Sequence, residues 1–220
     1  MRSFQEIFEI AADRKGGSDA LDAMLSRPKS AAELADVPDH RWLSQVTKSI
    51  FQAGFNWKVI EAKWSGFEEA FHGFDITRCA HLHPEEFGAI LSNKGVVRNG
   101  IKLQSVQHNA QFFQELEADG GVAQVIANWP NEDYIGLLDM LKARGSRIGG
   151  ATGQYAMRFM GRDGFVLSTD VTARLIAEGV IDKPATSKGA MRAVQAAFNT
   201  WAAQSGRSLT EISGVLARSL

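Results

Sequence analysis

Arg147-Ile148-Gly149-Gly150-Ala151-Thr152-Gly153 constrains the possible folds of this chain more than any other stretch. Apolar residues recur at helical spacing on both sides of it, so two helices must meet across a turn of a few residues. Paired glycines permit positive φ and a close backbone approach. The helix that starts there offers free N–H groups and a favourable dipole, which together hold a phosphate without any side chain. Thr152 is expected to begin that second helix, and Arg147 stands where it can reinforce the grip. A plain structural turn joining two packed helices is the other reading of the same residues. Gln154 to Met160 carries the helical pattern on, closing at Gly161-Arg162-Asp163-Gly164.

The next segment, Phe165 to Leu175, reads as a loop that delivers one carboxylate, Asp170, to the start of a further helix. A phosphate anchor followed by a lone carboxylate suits an enzyme that grips a nucleic-acid backbone and breaks a bond nearby. The structural alternative is that Thr169 or Asp170 simply caps the helix that follows.

Helical periodicity extends over nearly the whole chain. Phe4 to Ala11 is amphipathic and stops at Gly16-Gly17, after which Ser18 is placed to cap a second helix ending before Pro28. Ser30-Ala31-Ala32-Glu33 has the form of a capping box. Trp42 to Ala53 and Lys58 to Phe71 follow, separated at Gly54. Further helices are expected over 84–91, 98–116, 122–127, 131–141, 170–178, 187–204 and 210–216, with Pro84 fitting a first helical turn. No alternating strand pattern occurs beyond Phe165-Val166-Leu167, and there is no fixed-period repeat. The fold class is therefore all-α with short loops.

The formal net charge of −1 argues by itself against a polyanion partner. Its distribution argues the other way. From Lys142 to the end there are 11 Lys/Arg and 5 Asp/Glu, whereas residues 1–141 hold 13 and 20. The basic part contains the glycine turn, although chance segregation on a solvated surface would give the same tally. No apolar run approaches the roughly 18 residues of a spanning helix and the first residues lack a signal-peptide core, so a cytoplasmic protein with no membrane association is expected. Cys79 is the single cysteine, which excludes an internal disulfide.

A longer pattern lies upstream of the turn. It comprises Gln52-Ala53-Gly54-Phe55-Asn56-Trp57-Lys58-Val59-Ile60, Lys63, Phe67-Glu68-Glu69-Ala70-Phe71 and Phe74-Asp75, extended by Asn93 to Lys102 and by Asn109-Ala110. Over roughly 49–115 this resembles the DNA-3-methyladenine glycosylase I family, within the helix-hairpin-helix DNA glycosylase superfamily. The glycine turn and Asp170 match the wider superfamily. The resemblance implies an all-α helix-hairpin-helix architecture of two helical lobes flanking a cleft. It places a core lobe with the hairpin at about 49–164 and a second lobe from 1–48 plus 165–220, within one glycosylase-like domain. It also implies double-stranded DNA as partner, an alkylated base flipped into an aromatic pocket, hydrolysis of its N-glycosidic bond, and a monomer without cofactor. Trp57 matches the family's stacking tryptophan, since an indole face replaces the stacking a flipped base loses; a core tryptophan closing a helix–loop corner is the alternative. Ser49, Phe55 and Trp42 are its candidate pocket neighbours, Phe55 and Trp42 being equally compatible with plain core. Asp170 matches the superfamily's catalytic aspartate, four residues before Arg174. Arg147, Gly149, Gly150, Thr152 and Gly153 match the phosphate-binding hairpin. Ala151 occupies the place of the lysine with which strand-cleaving members form a Schiff base, which implies hydrolysis without lyase activity.

The pattern departs from the family in three places. Ser49 stands where family members carry a glutamate, eight residues before the stacking tryptophan, and a serine is not an anionic acceptor for a cationic methylated purine. The family's terminal Cys/His zinc site has no counterpart. Cys79-Ala80-His81-Leu82-His83 does not supply a closed tetrahedral set, so those histidines read as loop residues and no metal is expected. Residues 1–48 lack a clear match.

Overall fold

A computed structural model describes residues 1–220. Fifteen α-helices account for the architecture. They are α1 (Phe4–Lys15), α2 (Ser18–Ala23), α3 (Ala31–Ala35), α4 (Asp39–Gln52), α5 (Trp57–Ala62), α6 (Trp64–Ala70), α7 (Ile76–Ala80) and α8 (Pro84–Ser92). The remainder are α9 (Gly100–Glu115), α10 (Val122–Asn128), α11 (Tyr134–Arg144), α12 (Ala151–Met160), α13 (Thr169–Ala177), α14 (Lys188–Ser205) and α15 (Leu209–Leu216). No strand forms, and no helix is long and apolar enough to cross a membrane. The chain divides into two compact units, one made of 1–29, 129–137 and 161–220, the other of 30–128 and 138–160. These boundaries differ from the expected 49–164 and 1–48 plus 165–220. Residues 30–48 belong with the hairpin unit because α3 packs on α10 and α4 packs on α9 and α12. Residues 129–137 belong with the other unit, where Gln195 joins them by accepting from Ile135 N at 3.0 Å and donating to Asn131 O at 3.2 Å.

The first unit is built on α1, α14 and α15. Phe4, Ile7 and Phe8 of α1 are buried, as are Val194, Phe198 and Trp201 of α14 and Ile212, Val215 and Leu216 of α15. Ser3 and Glu6 form a capping box at the start of α1, and the Trp201 Nε1–H donates to Arg2 O at 3.1 Å. Residues 161–168 pass through this core without helix or strand, with Phe165 stacked on Phe198 at 4.5 Å and edge-on to Tyr134 at 5.1 Å. A buried irregular segment must still pair its amides. Here the Thr210 and Ser213 hydroxyls on α15 accept from Gly164 N and Val166 N, while the Asp163 carboxylate accepts from Leu209 N and Thr210 N at the start of α15. The apolar run Phe165-Val166-Leu167 is thus held by side chains rather than by a strand partner.

Behind Asp170, α13 is anchored by charge. Arg174 is buried and donates through Nε to Ser219 Oγ at 2.7 Å, through Nη2 to Ser219 O, and through Nη1 to Glu178 at 3.2 Å. Glu178 also accepts from the Arg2 backbone N–H and guanidinium, both at 2.8 Å. Burial raises the Glu178 pKa, but those bonds outweigh it and hold the carboxyl below its ordinary range.

In the second unit α4 is central. Trp42, Leu43, Val46, Ile50 and Phe51 are all buried, and α9, α10 and α12 pack against it. The Asp39 carboxylate on its first turn accepts from Val122 N at 3.1 Å and Ala123 N at 3.0 Å, starting α10. The expected single helix over 58–71 is instead α5 and α6, broken at Lys63. The break lets Lys63 Nζ donate to Lys94 O at 2.6 Å and lets the Gly66 backbone approach Gly95, where a Cβ on Gly66 would lie 2.5 Å from the Gly95 oxygen. Glu68 on α6 accepts from Arg41 at 3.0 and 2.8 Å, Ser44 at 2.8 Å and Trp64 at 3.0 Å. Ser18 begins α2 from inside, Gly17 being its cap residue, without a side-chain bond. The hairpin is closed by Ile148, buried between α11 and α12, and by Gly153. A Cβ on Gly153 would collide with the Ile148 carbonyl oxygen.

Two outcomes follow from this packing. Glu178→Gln leaves Arg174 without its anion and is expected to lower unfolding stability at pH 7 by about 3 kcal/mol, read from urea denaturation. Because the folded-state pKa of Glu178 is depressed, its stabilisation is present above the pKa of a glutamate in the unfolded chain and is lost as pH falls through the folded value. The gap between wild type and variant should therefore narrow in acid; an unchanged gap would contradict the assignment. Gly153→Ala should cost about 1–3 kcal/mol by forcing α12 away from the turn, measured as a lowered thermal midpoint.

Candidate functional site

The hairpin turn is built from residues with unusual backbone. Arg147 has φ +63° and Gly150 φ +60°, both in the left-handed region, and both are exposed. Buried Ile148 between them plugs the turn into the unit. The second helix begins at Ala151, one residue before the expected Thr152, which sits half-buried in its first turn. Gly149 is half-buried against the Lys142 stem. Gly153 is buried inside α12, so its part is close packing and not contact with a strand. The loop ahead of the turn is clamped by Asn109 of α9, which is fully buried. Its Nδ2 donates to Ser146 O at 3.0 Å, and its Oδ1 accepts from Ser146 N at 2.7 Å.

The helix that leaves the turn carries aromatic partners for Trp57. Trp57 opens α5, after Asn56 caps it by accepting from Lys58 N at 2.9 Å. Its ring meets Tyr155 edge-on at 5.9 Å and 87°, and Phe159 at 5.8 Å and 77°. Tyr155 and Phe159 stack on each other at 5.9 Å. Trp57 and Phe159 are each 45% exposed, so this cluster stays open rather than joining the core. Phe55 is 39% exposed and lies under the Lys102 ammonium, 4.7 Å from the ring centroid. Lys102 itself is buried and donates to Ile50 O at 2.7 Å and Ala53 O at 2.6 Å, closing the C-terminal end of α4. Burial, and then the nearby charge of Arg147, push its pKa down.

The remaining expected pocket residues lie deeper. Ser49 is 4% exposed, and its hydroxyl accepts from Gln45 Nε2 at 3.2 Å. Trp42 is 0% exposed, so it presents no face for stacking and its place is the core of α4; its Nε1–H has no partner. Asp170 belongs to the other unit. It stands in the first turn of α13, exposed, and its carboxylate makes no hydrogen bond or ion pair. The cap of that helix is Ser168, accepting from Val171 N at 3.3 Å, and not Thr169 or Asp170. Arg174, four residues on, turns to Ser219 and Glu178.

Cys79, His81 and His83 each have a local structural role. The Cys79 thiol is buried, donates to Phe71 O at 3.4 Å and has a pKa pushed up to about 12, first by burial and then by Asp75 and Glu86. His81 Nδ1 meets Thr77 O at 3.0 Å, and the His83 ring caps α8.

Sequence reasoning missed Tyr155, Phe159, Lys102 and Asn109 as site-forming residues. The first two are an i, i+4 aromatic pair on a helix already suspected of leaving the turn. The other two are polar positions seven residues apart, two helical turns, on the buried side of α9.

The methyladenine glycosylase family profile matches residues 36–136. The DNA-3-methyladenine glycosylase of Haemophilus influenzae is 32% identical over 69 residues, and DNA-3-methyladenine glycosylase 1 of Escherichia coli is 28% identical over the same length. Each alignment covers 31% of this chain and 37% of the relative, so the chain spans little more than a third of the curated relatives it matches. Among solved structures, 8-oxoguanine DNA glycosylase of Methanocaldococcus jannaschii superposes with a TM-score of 0.55 at 14% identity, covering 95% of this chain and 90% of that one. A 3-methyladenine DNA glycosylase I from Staphylococcus aureus superposes with a TM-score of 0.50 at 14% identity, covering 70% and 91%. At such identities these two likenesses establish the shared helical DNA glycosylase fold. Over residues 36–136, which hold α4 to α10 and the Trp57 loop, the chain is similar to the methyladenine glycosylase family.

Proposed function

We propose that this chain is a monofunctional DNA glycosylase that hydrolyses the N-glycosidic bond of alkylated bases, of the 3-methyladenine kind, in double-stranded DNA during base-excision repair. The observation that carries this reading is the half-exposed Trp57 seated against the helix that the glycine turn starts. Chemistry on a base requires it to leave the stack, and an open aromatic face returns about 1–3 kcal/mol per stacked base. The turn supplies backbone N–H groups to a phosphate of the same strand, and Arg147 adds a cation beside it.

Asp170 is the residue assigned to catalysis. A carboxylate with no partner of its own is available to stabilise positive charge developing on the sugar and to orient or deprotonate the attacking water. An alkylated purine that is already cationic departs as a neutral base, so one carboxylate and a well-shaped pocket supply most of what hydrolysis needs. Ala151 removes the amine that a strand-cleaving step would use, and no cofactor or metal enters the scheme.

The neutral Ser49 favours a second reading, a catalytically inactive module that senses damage and binds DNA. Release of free base from methylated duplex DNA separates the two. The glycosylase reading expects turnover by wild type, at least a 100-fold loss of turnover in Asp170→Asn with duplex affinity retained, and no strand cleavage beyond that of the abasic product alone. It also expects roughly tenfold weaker binding to damaged duplex in Trp57→Ala. Duplex binding by wild type with no base released from any alkylated purine would establish the inactive module instead.

A further inference from the structure

We infer that α9 is the ruler that sets the spacing between the base-stacking loop and the phosphate-gripping turn, with Lys102 and Asn109 as its two positioning residues. The inference rests on the glycosylase reading of Trp57 and the hairpin. It assigns to α9 a second link beside the aromatic cluster, which joins Trp57 to α12 through Tyr155 and Phe159.

The geometry is confined to one helix. Lys102 Nζ donates to Ile50 O at 2.7 Å and to Ala53 O at 2.6 Å, the carbonyls where α4 ends. The same ammonium lies 5.7 Å from the Phe51 centroid and 4.7 Å from that of Phe55. One cation therefore fixes both the backbone that leaves α4 and the ring two residues before Trp57. Asn109 grips Ser146 through both its amide groups, at 3.0 and 2.7 Å, immediately before Arg147 and the glycines. Both side chains are buried. They are seven residues apart on α9, which places them on one face about 10 Å apart along the axis.

Neither side chain makes a hydrogen bond or ion pair beyond these. Lys102 forms no ion pair, and its two acceptors are terminal carbonyls of α4 that no intrahelical amide reaches. Asn109 spends its acceptor and one donor on a single loop residue. A rigid α-helix does not stretch, so a base held by the Trp57 loop and a phosphate held by the turn are kept at one separation. A nucleotide whose base has left the stack offers those two groups at a distance fixed by its own sugar and backbone. Holding both ends in register is a positional contribution to catalysis, felt without either residue touching DNA.

The two ends make opposite demands on a test, and that separates a ruler from mere support. Three readouts apply to the full chain: affinity for undamaged duplex with its salt slope, quenching of the Trp57 fluorescence (wild type minus Trp57→Phe) by free 3-methyladenine, and base release from methylated duplex. Lys102→Met should weaken quenching by roughly tenfold and lower kcat while leaving the affinity and salt slope for undamaged duplex as they were. Asn109→Ala should weaken binding to every duplex and shallow the salt slope by about one, leaving quenching by the free base intact. Lys102→Arg, which can still donate to both carbonyls, should recover most of the loss. Asn109→Asp, which keeps the bond from Ser146 N but cannot donate to Ser146 O, should fall between wild type and alanine. If either alanine or methionine variant is unfolded, these two conservative variants carry the same comparison. Parallel loss of quenching and duplex affinity in both variants, or no change in either, would overturn the inference. Absence of base release by wild type, with quenching and duplex binding still separating as described, would instead count against the glycosylase reading alone, whereas a wild type that neither binds duplex nor shows quenching would remove both.

Discussion

A helix that stops inside a protein must hand its last carbonyls, or its first amides, to some partner, and at three helix ends of this chain that partner comes from far away in sequence. The end of α4 is closed by Lys102, 49 residues beyond Ala53. The start of α10 rests on Asp39, more than 80 residues before it. The start of α15 rests on Asp163, 46 and 47 residues before it. Each such bond is worth only about 1 kcal/mol net, or somewhat more for a charged group, but leaving a buried end unpaired costs several times that. The loop that carries Trp57 therefore leaves α4 from an end fixed by a side chain of a distant helix. Loop positions in this protein follow from where helices are allowed to stop.

That constraint explains the contrast between two tryptophans on neighbouring segments. Trp42 lies mid-helix, where α4 is enclosed by α9, α10 and α12, and burial returns the full benefit of its area. Trp57 lies just past the capped end of α4, where the chain has already turned outward. Its neighbours Tyr155 and Phe159 are drawn to it rather than into the core, giving a group of three aromatic rings with much of its surface in water. Exposed aromatic area is withheld from folding, and contiguous patches of it mark places where another molecule completes the contact. Under the proposed reading a planar base would complete that contact, with the edge-on packing of Tyr155 and Phe159 holding the indole in one orientation.

Much of this was legible in the residues themselves. Helical periodicity gave the all-α class, and the boundaries of α1, α8, α9, α10 and α14 lie within one or two residues of those expected. The capping box at Ser30 was readable because it is local chemistry. What could not be read was whatever depends on partners distant in sequence. The break at Lys63 accompanies the close approach of Gly66 to Gly95, a residue outside the segment 58–71. Ser168, and not Asp170, caps α13, since an N-cap is selected by backbone direction and several adjacent residues could have filled it. Residues 30–48 joined the hairpin unit for contacts made by α3 and α4 that composition does not record. At the candidate site the motif identified Trp57 and the turn, while Lys102 and Asn109 belonged to the matched pattern but carried no role until their acceptors were located.

Arg147 ties these threads to binding. A non-glycine residue at φ +63° is strained by about 1–2 kcal/mol, and it persists only where its surroundings over-determine the backbone. Here Ser146 on one side is held by both groups of Asn109, and Ile148 on the other is sunk between two helices. The turn is thus held rigidly, so under the proposed glycosylase reading little ordering cost would fall on an encounter with DNA. A chain with a net charge of −1 has no long-range attraction to spend on capturing a polyanion. Under the proposed reading the small, rigid turn, with its helix start and Arg147, serves instead, and a rigid patch of that kind does not need the rest of the surface to be basic.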